Sequence, residues 1–297
     1  MTQQATRISI FVIRKKFRYP NLWGAWGRAV KIGRQTQKST AISTANAEAI
    51  IVRGRDLCSE LIGKVGFTDH MWLLITGELP SAAQRRVLDA TLIAIAEHGL
   101  VPSVQASRMT LAAAPEALQG AVAAGILGCG SVVLGSSALA GEFFAAIVTR
   151  ANGGALEAAA RAEIAALRAA GKAIPGYGHP LHRGGDPRAQ RLLEVSAEAG
   201  ASGRHIEAAQ IVERLLPETT GKTLVMNVSG AIPAVLLDVG YPVRALKGVP
   251  IVARTAGLVA HLLEEQLRPI GFVLSHAGAG AIDYDGAAPP GFVPSHE

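Results

Sequence analysis

Cysteine is scarce in this chain, which has Cys58 and Cys129 as its two cysteines among 297 residues. The pair does not have the spacing of a cysteine metal site. Both residues stand among apolar side chains, which predicts buried thiols rather than a disulfide or metal ligands. Free thiols are typical of a reducing compartment, so we expect a cytoplasmic protein. Nothing in the sequence indicates a metal, flavin or nicotinamide site.

Acidic residues are missing from the first 47 positions, which hold nine Lys or Arg. Of the 29 basic residues, 20 therefore remain for the rest of the chain, against 23 acidic ones. The net charge of +6 arises at the N-terminus, and this distribution argues against a nucleic-acid-binding protein. The segment lacks the apolar core and cleavage site of a secretory signal. We interpret residues 1–38 as a basic N-terminal extension, with a targeting segment or a membrane-surface arm as alternatives.

Strand-like alternation and internal repeats are absent from the pattern after residue 54. Before it, residues 40–43 and 50–53 flank a small polar turn and predict a short hairpin ending at Gly54. Apolar residues at helical spacing then dominate the chain. They predict helices at residues 56–65, 70–76, 81–98, 155–170, 189–199, 205–215, 225–239 and 252–266. The clearest starts with Ser81 as N-cap and stops at Gly99. The sequence predicts an all-α fold with a short N-terminal hairpin.

Charged side chains are absent from residues 120–141, a stretch long enough to weigh as a membrane span. Its glycines and serines, and the lack of flanking basic or aromatic anchors, weaken that interpretation. A helix that is apolar on all sides also suits the centre of a helical protein or a subunit interface. We predict a buried helix, broken near residues 128–130, and no membrane partner.

Residues 174–190, IPGYGHPLHRGGDPRAQ, contain too many prolines and glycines to form one helix. This segment presents four basic side chains from a loop: His179, His182, Arg183 and Arg188. From Pro187 onward the pattern is helical, which makes Asp186 the predicted N-cap. A helix N-terminus directs backbone N–H groups and a positive dipole end toward the loop. The segment therefore predicts a binding site for an anionic ligand.

The sequence PGYGHPLHRGGDPR at residues 175–188 resembles the citrate synthase family, whose members share a proline-glycine-aromatic-glycine-histidine stretch ending in Asp-Pro-Arg. A second family segment, ARTAGLVAH at residues 253–261, follows in the expected order. The similarity extends from about residue 40 to about residue 286. GHPLH, the GILGCGS segment at 125–131 and the shortness of the chain resemble the short citryl-CoA lyases and the lyase module of ATP citrate lyase.

This resemblance implies a citrate-synthase-like arrangement of a large and a small helical domain that close over substrate. We assign residues 39–180 and 245–297 to the large domain and residues 181–244 to the small one. It also implies a homodimer or higher homo-oligomer. The family makes or breaks the carbon–carbon bond between acetyl-CoA and oxaloacetate, so the expected partners are acetyl-CoA or citryl-CoA and oxaloacetate. The coenzyme A thioester is then a substrate, and no bound cofactor is expected.

The resemblance also assigns roles to individual residues. His179 matches the histidine that hydrogen-bonds the keto or hydroxyl oxygen of the acid. Arg188 and Arg254 match guanidinium groups that clamp its carboxylates. His98 resembles a further acid-binding histidine, and Arg183 matches a basic residue that meets coenzyme A phosphates. The alternatives are surface ion pairs for the arginines and a helix-end role for His98. Two other histidines are predicted to be structural, His182 and His261.

One departure from the family pattern concerns a histidine that stabilises the enol of acetyl-CoA in citrate synthases. The corresponding stretch here is GSVVLGSS at residues 130–137, with Leu134 or Val133 in its place. The lyases that the sequence resembles also lack this histidine. Its absence therefore favours the cleavage branch of the family.

A second departure concerns the family's carboxylate base, which follows Asn-Val, whereas this chain reads Asn227-Val228-Ser229. A serine is not a general base near neutral pH without help. Asp238 lies nine residues further along the same predicted helix, about 13 Å away by helical rise, and is expected to be structural. The function expected is a citryl-CoA lyase-like enzyme, with His179 and Ser229 at the catalytic positions. The alternatives are citrate synthase-type condensation, another 2-hydroxyacyl-CoA substrate, or a non-catalytic paralogue.

Overall fold

A computed structural model describes residues 38–130, 134–178 and 185–292 of the chain. The described residues from Ile42 onward form one compact unit. The helices of the described part, in chain order, are α1 Phe67–Thr76, α2 Ala82–Ala96, α3 Pro102–Ala113, α4 Leu118–Leu127, α5 Ser136–Ala151, α6 Leu156–Ala169, α7 Pro187–Glu198, α8 Arg204–Thr220, α9 Val228–Asp238, α10 Gly248–Leu267 and α11 Gly271–Gly280. The predicted all-α class is confirmed. The division into a large and a small domain stays a prediction.

The β-structure is a small antiparallel sheet of three strands, β1 Ser43–Ala45, β2 Ile50–Val52 and β3 Arg55–Asp56, in the order β1-β2-β3. The predicted hairpin is confirmed, but it does not end at Gly54. Arg53 and Gly54 both have positive φ, and this turn leads the chain into β3. The helix predicted from residue 56 is wrong in extent, because only a single helical turn, Leu57–Leu61, forms before Gly63 turns the chain.

Local capping explains where the main helices begin. Ser81 Oγ accepts from Gln84 N (3.2 Å) while Gln84 Oε1 accepts from Ser81 N (2.8 Å), so α2 starts with a capping box. Asp186 is the N-cap of α7 and Pro187 its first residue, as predicted. Two helices were not predicted, α3 and α11.

The centre of the fold is α9, whose residues are almost all buried. It packs against α5, α7 and α8, and α2 lies beside α7 and α10. Gly141 of α5 permits a close approach, since a Cβ there would lie 3.0 Å from Pro233 of α9. Asp238, at the end of α9, accepts from the backbone N–H groups of Gly203, His205 and Ile206 at the start of α8. The structural role expected for Asp238 is therefore confirmed.

The charge-free segment differs from its prediction in one respect. The break near residues 128–130 is confirmed, because α4 ends at Leu127 and α5 begins at Ser136. The prediction of a buried helix is wrong for α4, which buries Ala121 and Gly125 but leaves Leu127 84% exposed. The prediction of two buried thiols is also half wrong, since Cys129 is buried and Cys58 is exposed.

One helical stretch in the described part of the chain, Val243–Leu267, is long and apolar enough to cross a membrane by length and composition. It includes α10 and carries two buried charged residues, Arg254 and Glu265. Its residues pack against α2, α3 and α4. These contacts are those of a helix in the core of a helical protein.

Candidate active site

The first turn of α7 forms one side of the candidate site. The carboxylate of Asp186 has no exposed side-chain surface, and it pairs with Arg188 side-on: Nε donates to Oδ1 (3.0 Å) and Nη2 donates to Oδ2 (2.9 Å). Burial alone would raise the pKa of Asp186. The hydrogen bonds from Arg188 and from the N–H of Val228 outweigh it and hold that pKa below its ordinary value. Asp186 is therefore a fixed anion.

The N-terminus of α9 lies against the same carboxylate. Val228 N donates to Asp186 Oδ2 (3.0 Å), which joins the first turns of α7 and α9. Asn227 caps α9 through its side-chain oxygen, which accepts from Gly230 N (3.2 Å). Ser229 is the second residue of this helix and is half-buried. Two helix N-termini, and their positive dipole ends, thus meet at one place.

The first residues of the predicted loop segment are attached to the start of α9 by hydrogen bonds. Asn227 N donates to Gly176 O (3.0 Å), and Asn227 Nδ2 donates to Gly178 O (2.7 Å). Gly176 has a φ of +91°, and a Cβ on it would lie 2.8 Å from the Cα of Gly230. Only glycine fits that position, since both the backbone conformation and the space exclude a side chain.

His179 and Arg183 lie outside the described residues, as does His182. The residues on either side of them are held by hydrogen bonds. Gly178 is bound by Asn227, and Asp186 is bound by Val228, so consecutive residues of one helix terminus hold both flanks. The roles predicted for His179 and Arg183 stay predictions.

His98 and Arg188, which are 90 positions apart in the sequence, are brought together. Arg188 Nη1 lies 3.4 Å from His98 Nδ1, just beyond the C-terminal end of α2. A guanidinium only donates, so His98 Nδ1 accepts and the ring proton belongs on Nε2. The packing of α7 on α2 therefore brings the His98 ring and the Arg188 guanidinium together.

Arg188 has less to offer a ligand than the resemblance suggested. Its Nε and Nη2 face Asp186, which occupies the bidentate edge of the guanidinium. The remaining nitrogen, Nη1, points toward His98. Arg188 would thus meet a carboxylate at its end-on edge rather than at the side-on edge that Asp186 occupies.

Arg254, in the middle of α10, is the second arginine that the resemblance assigns to the site. It is 2% exposed, and its Nε and Nη1 have no hydrogen-bond partner among the described residues. Burying donors of a charged group without partners is costly. Its helix packs on α2, and a Cβ on Gly257, one turn after Arg254, would lie 2.2 Å from the carbonyl oxygen of Ala96. Arg254 therefore lies on the helix that touches the end of α2, where His98 follows.

The position of the missing enol-binding histidine is apolar. Val133 lies outside the described residues, and Leu134 is buried with a φ of +68°. Gly135 N donates to Gly130 O (3.0 Å), just before α5 begins. A leucine side chain there offers no hydrogen bond to an enol oxygen.

Sequence reasoning missed three features of this site. It placed Asp186 as an N-cap but gave no sign of its bond to Val228, because the two residues are 42 positions apart. It also gave no role to Glu97, and it did not reveal that a carboxylate oxygen of Glu97 lies 3.0 Å from Nε2 of His261, the residue expected to be structural. Within the described ranges, no group of three or more His, Cys, Asp or Glu is arranged to hold a metal ion.

Comparison with known proteins supplies independent information on this arrangement. The family described as "Citrate synthase, C-terminal domain" matches residues 81–270. A solved structure of citryl-CoA lyase from Hydrogenobacter thermophilus is 30% identical, with a TM-score of 0.75 over 86% of this chain and 97% of that chain. A second solved structure is ATP citrate lyase from Methanothrix soehngenii in complex with citrate and coenzyme A. It is 21% identical, with a TM-score of 0.70 over 99% of this chain and 48% of that chain. This similarity shows a shared fold.

Among curated proteins, "Putative citrate synthase 2" of Mycobacterium bovis is 27% identical over 194 residues. The match covers 63% of this chain and 49% of that protein. The chain thus spans about half the length of the curated relatives it matches.

Proposed function

This chain belongs to the citrate synthase family, and we propose that it acts there as a citryl-CoA lyase-like enzyme. The proposed reaction cleaves, or in reverse forms, the carbon–carbon bond between the methyl carbon of acetyl-CoA and the keto carbon of oxaloacetate. Similarity over 97% of a citryl-CoA lyase supports this reaction over condensation. The coenzyme A thioester is a substrate in this proposal, not a resident cofactor.

The observation that carries the proposal is the buried guanidinium of Arg254. Its Nε and Nη1 lack partners among the described residues, so an anion would complete them. The other arginine, Arg188, is already neutralised by Asp186 and adds one end-on donor. With His98 and two helix N-termini nearby, the site suits a small acid with more than one carboxylate. Oxaloacetate and the citryl group of citryl-CoA have that chemistry.

The cleavage requires two proton movements around this acid. The hydroxyl of citryl-CoA loses its proton while the carbon–carbon bond breaks, and its oxygen becomes the keto oxygen of oxaloacetate. The electrons of the broken bond pass to the enolate of acetyl-CoA, which takes up a proton to give acetyl-CoA. We assign His179 to the hydroxyl oxygen and Arg183 to the coenzyme A phosphates, on the strength of the family resemblance.

Ser229 favours a second candidate, a protein that binds these ligands without turnover. It occupies the place of the family's carboxylate base, in the first turn of α9. Asp186 is bound to the neighbouring residue, Val228, but its hydrogen bonds hold it as an anion with a lowered pKa, which makes it a poor base. A different 2-hydroxyacyl-CoA that brings its own proton acceptor is the remaining alternative.

We also propose a homodimer or higher homo-oligomer in the cytoplasm. Helices α4, α10 and α11 surround α3 and carry large apolar side chains that the described residues leave exposed: Leu118, Leu127, Val259, Leu263, Leu267, Phe272 and Val273. Monomeric soluble proteins rarely leave so much apolar surface open to water. A second copy of the chain would cover it.

The deciding experiment is to supply citryl-CoA and to follow oxaloacetate with a coupled reductase. We expect turnover by the wild-type protein and loss of it in His179→Ala and Arg254→Met. Wild-type turnover no faster than that of His179→Ala would refute the proposed lyase activity. Calorimetry with citrate and coenzyme A then separates the alternatives, because tight binding without turnover supports the non-catalytic protein. Turnover of another acyl-CoA in a thioester panel would identify a different substrate.

A further inference from the structure

Glu97 joins the end of α2 to the backbone of a candidate ligand-binding residue. Its carboxylate accepts from the backbone N–H of Gly99, lies near the N–H of His98, and has an oxygen 3.0 Å from Nε2 of His261 on α10. Burial alone would raise the pKa of Glu97. The contact with His261 and the two N–H groups outweigh it and lower that pKa. The carboxylate is thus a fixed anion beside His98.

The partner helix presents a matching face. Arg254, Gly257 and His261 are spaced i, i+3 and i+7 along α10, so they lie on one side of it. A Cβ on Gly257 would lie 2.2 Å from Ala96 O and 3.1 Å from a carboxylate oxygen of Glu97. The backbones of α10 and α2 therefore meet directly between Arg254 and His261.

The helix itself does not explain a glutamate at this position. Glu97 follows the last residue of α2, where the helix dipole presents its negative end. A carboxylate at that end is electrostatically unfavourable. Its contacts with His98, Gly99 and His261 offset this, and all three fix the segment that follows α2.

We propose that Glu97 is a positioning residue whose carboxylate, bound to the Gly99 N–H and 3.0 Å from His261 Nε2, sets His98 at a defined place relative to Arg254 and thereby tunes affinity for the acid. The inference rests on the proposed function, because it assigns His98 and Arg254 to the same ligand. Glu97 need not touch the acid itself. It acts through the backbone of His98.

The test compares Glu97→Ala, Glu97→Gln and His261→Leu with a matched control, Glu157→Ala, which removes a glutamate of an exposed ion pair on α6. The readouts are kcat and KM for citryl-CoA, the dissociation constant of citrate by calorimetry, and the melting temperature. We expect Glu97→Ala to raise KM and the citrate dissociation constant about tenfold with kcat within about threefold, as for the loss of one charge-assisted interaction that acts on binding. Glu97→Gln, which keeps an acceptor for the two N–H groups, should recover most of this loss.

The effects of substituting Glu97 and His261 on ligand binding should also be coupled. In the double variant Glu97→Ala/His261→Leu, the increase in the dissociation constant should fall well short of the product of the single increases. Additive effects, or a lowered melting temperature with unchanged KM and citrate binding, would overturn the positioning role. A wild-type protein that neither turns over citryl-CoA nor binds citrate would refute the proposed function and this inference with it. Wild-type activity with unaffected Glu97 variants would refute the inference alone.

Discussion

Two buried arginines in this protein have opposite surroundings. Arg108 and Arg254 are each 2% exposed. Arg108 donates to Glu265 (2.6 Å) and Glu264 (2.8 Å) and to the carbonyl of Arg268, which is a complete set of partners. Arg254 has two nitrogens that no described residue satisfies. The contrast separates an arginine used for stability from one that binds an anion in the proposed function.

This contrast predicts different outcomes for the same substitution. Arg108→Met leaves the buried carboxylate of Glu265 without its partner and should cost about 3–5 kcal/mol of unfolding free energy. Arg254→Met removes an unsatisfied buried charge and should leave stability within about 1 kcal/mol of wild type, or raise it. Urea denaturation measures both, and calorimetry should show that Arg254→Met no longer binds citrate. A large destabilisation by Arg254→Met would mean that the arginine has a structural partner after all.

Ser229 gives a prediction of the opposite sign, a gain of activity. Ser229→Asp restores the carboxylate of the family pattern in the first turn of α9, where a negative charge interacts favourably with the helix dipole. We expect lyase activity to rise by roughly tenfold or more, since general acid–base catalysis contributes about 10²–10⁴-fold in well-placed cases. Ser229→Asn is the matched control, with similar size and no proton acceptor. If the aspartate variant shows the wild-type rate, then the alignment or the assigned role of residue 229 is wrong.

At the scale of elements, Asp186 links α7 to α9, and its lowered pKa makes this link sensitive to pH. The native carboxyl group gives up its proton more readily than the unfolded one, whose ordinary pKa is 3.8. Its contribution to stability is therefore complete above that value and is lost as the pH falls through the lower native pKa. The expected loss lies in the acid range, below about pH 4.

The pH dependence can be measured against Asp186→Asn, which keeps the shape of the side chain and removes its charge. We expect the wild type to be the more stable by urea denaturation at pH 7. The difference should shrink as the pH is lowered from 5 toward 3, because the wild-type carboxylate becomes protonated. A difference that stays constant over this range would show that charge on Asp186 does not stabilise the link.

The helices that sequence reasoning missed have identifiable physical causes. In α3 the buried positions include Ser103, Ser107 and Arg108, so polar residues occupy the face where a helical pattern requires apolar ones. The arginine is satisfied by Glu265, 157 positions away, which no local pattern reveals. In α11 only Gly271 is buried, and Glu265 accepts from the N–H groups of Ile270 and Gly271. The start of that helix is held by a carboxylate five to six residues earlier in the chain, and its own periodicity gives no sign of a buried face.

At the scale of the whole molecule, the sequence anticipated the kind of fold better than the connections of the site. The citrate-synthase-like helical architecture is confirmed by the similarity to citryl-CoA lyase. The loop motif and the order of its arginines identified the family, because they occupy short contiguous stretches. The bond between Arg188 and His98 follows from packing of α2 on α7, and its geometry is not encoded locally. The pairing of the side-on edge of Arg188 with Asp186 was not predicted, for the same reason.

The exposed apolar helices yield the prediction for assembly. We expect the full chain to be at least dimeric by light scattering. The paired substitution Leu127→Glu/Leu267→Glu, at side chains 84% and 73% exposed, should produce monomers without unfolding them, since neither side chain contributes to the protomer core. Ile93→Glu, at a position 78% exposed on α2, is the control on another helix. A monomeric wild-type protein would contradict the proposal that a second copy of the chain covers this surface.

The attachment of Gly178 to Asn227 and of Asp186 to Val228 has a consequence for protein engineering. The Asn227 side chain and the Val228 N–H thus hold the two residues between which positions 179–184 lie in the sequence, so these six positions can be exchanged as one cassette between fixed ends. Grafting the equivalent six residues from relatives between these ends would vary the chemistry offered to the acyl-CoA while the scaffold stays the same. Measuring which acyl-CoA each chimaera turns over would show how far these six residues alone determine substrate specificity.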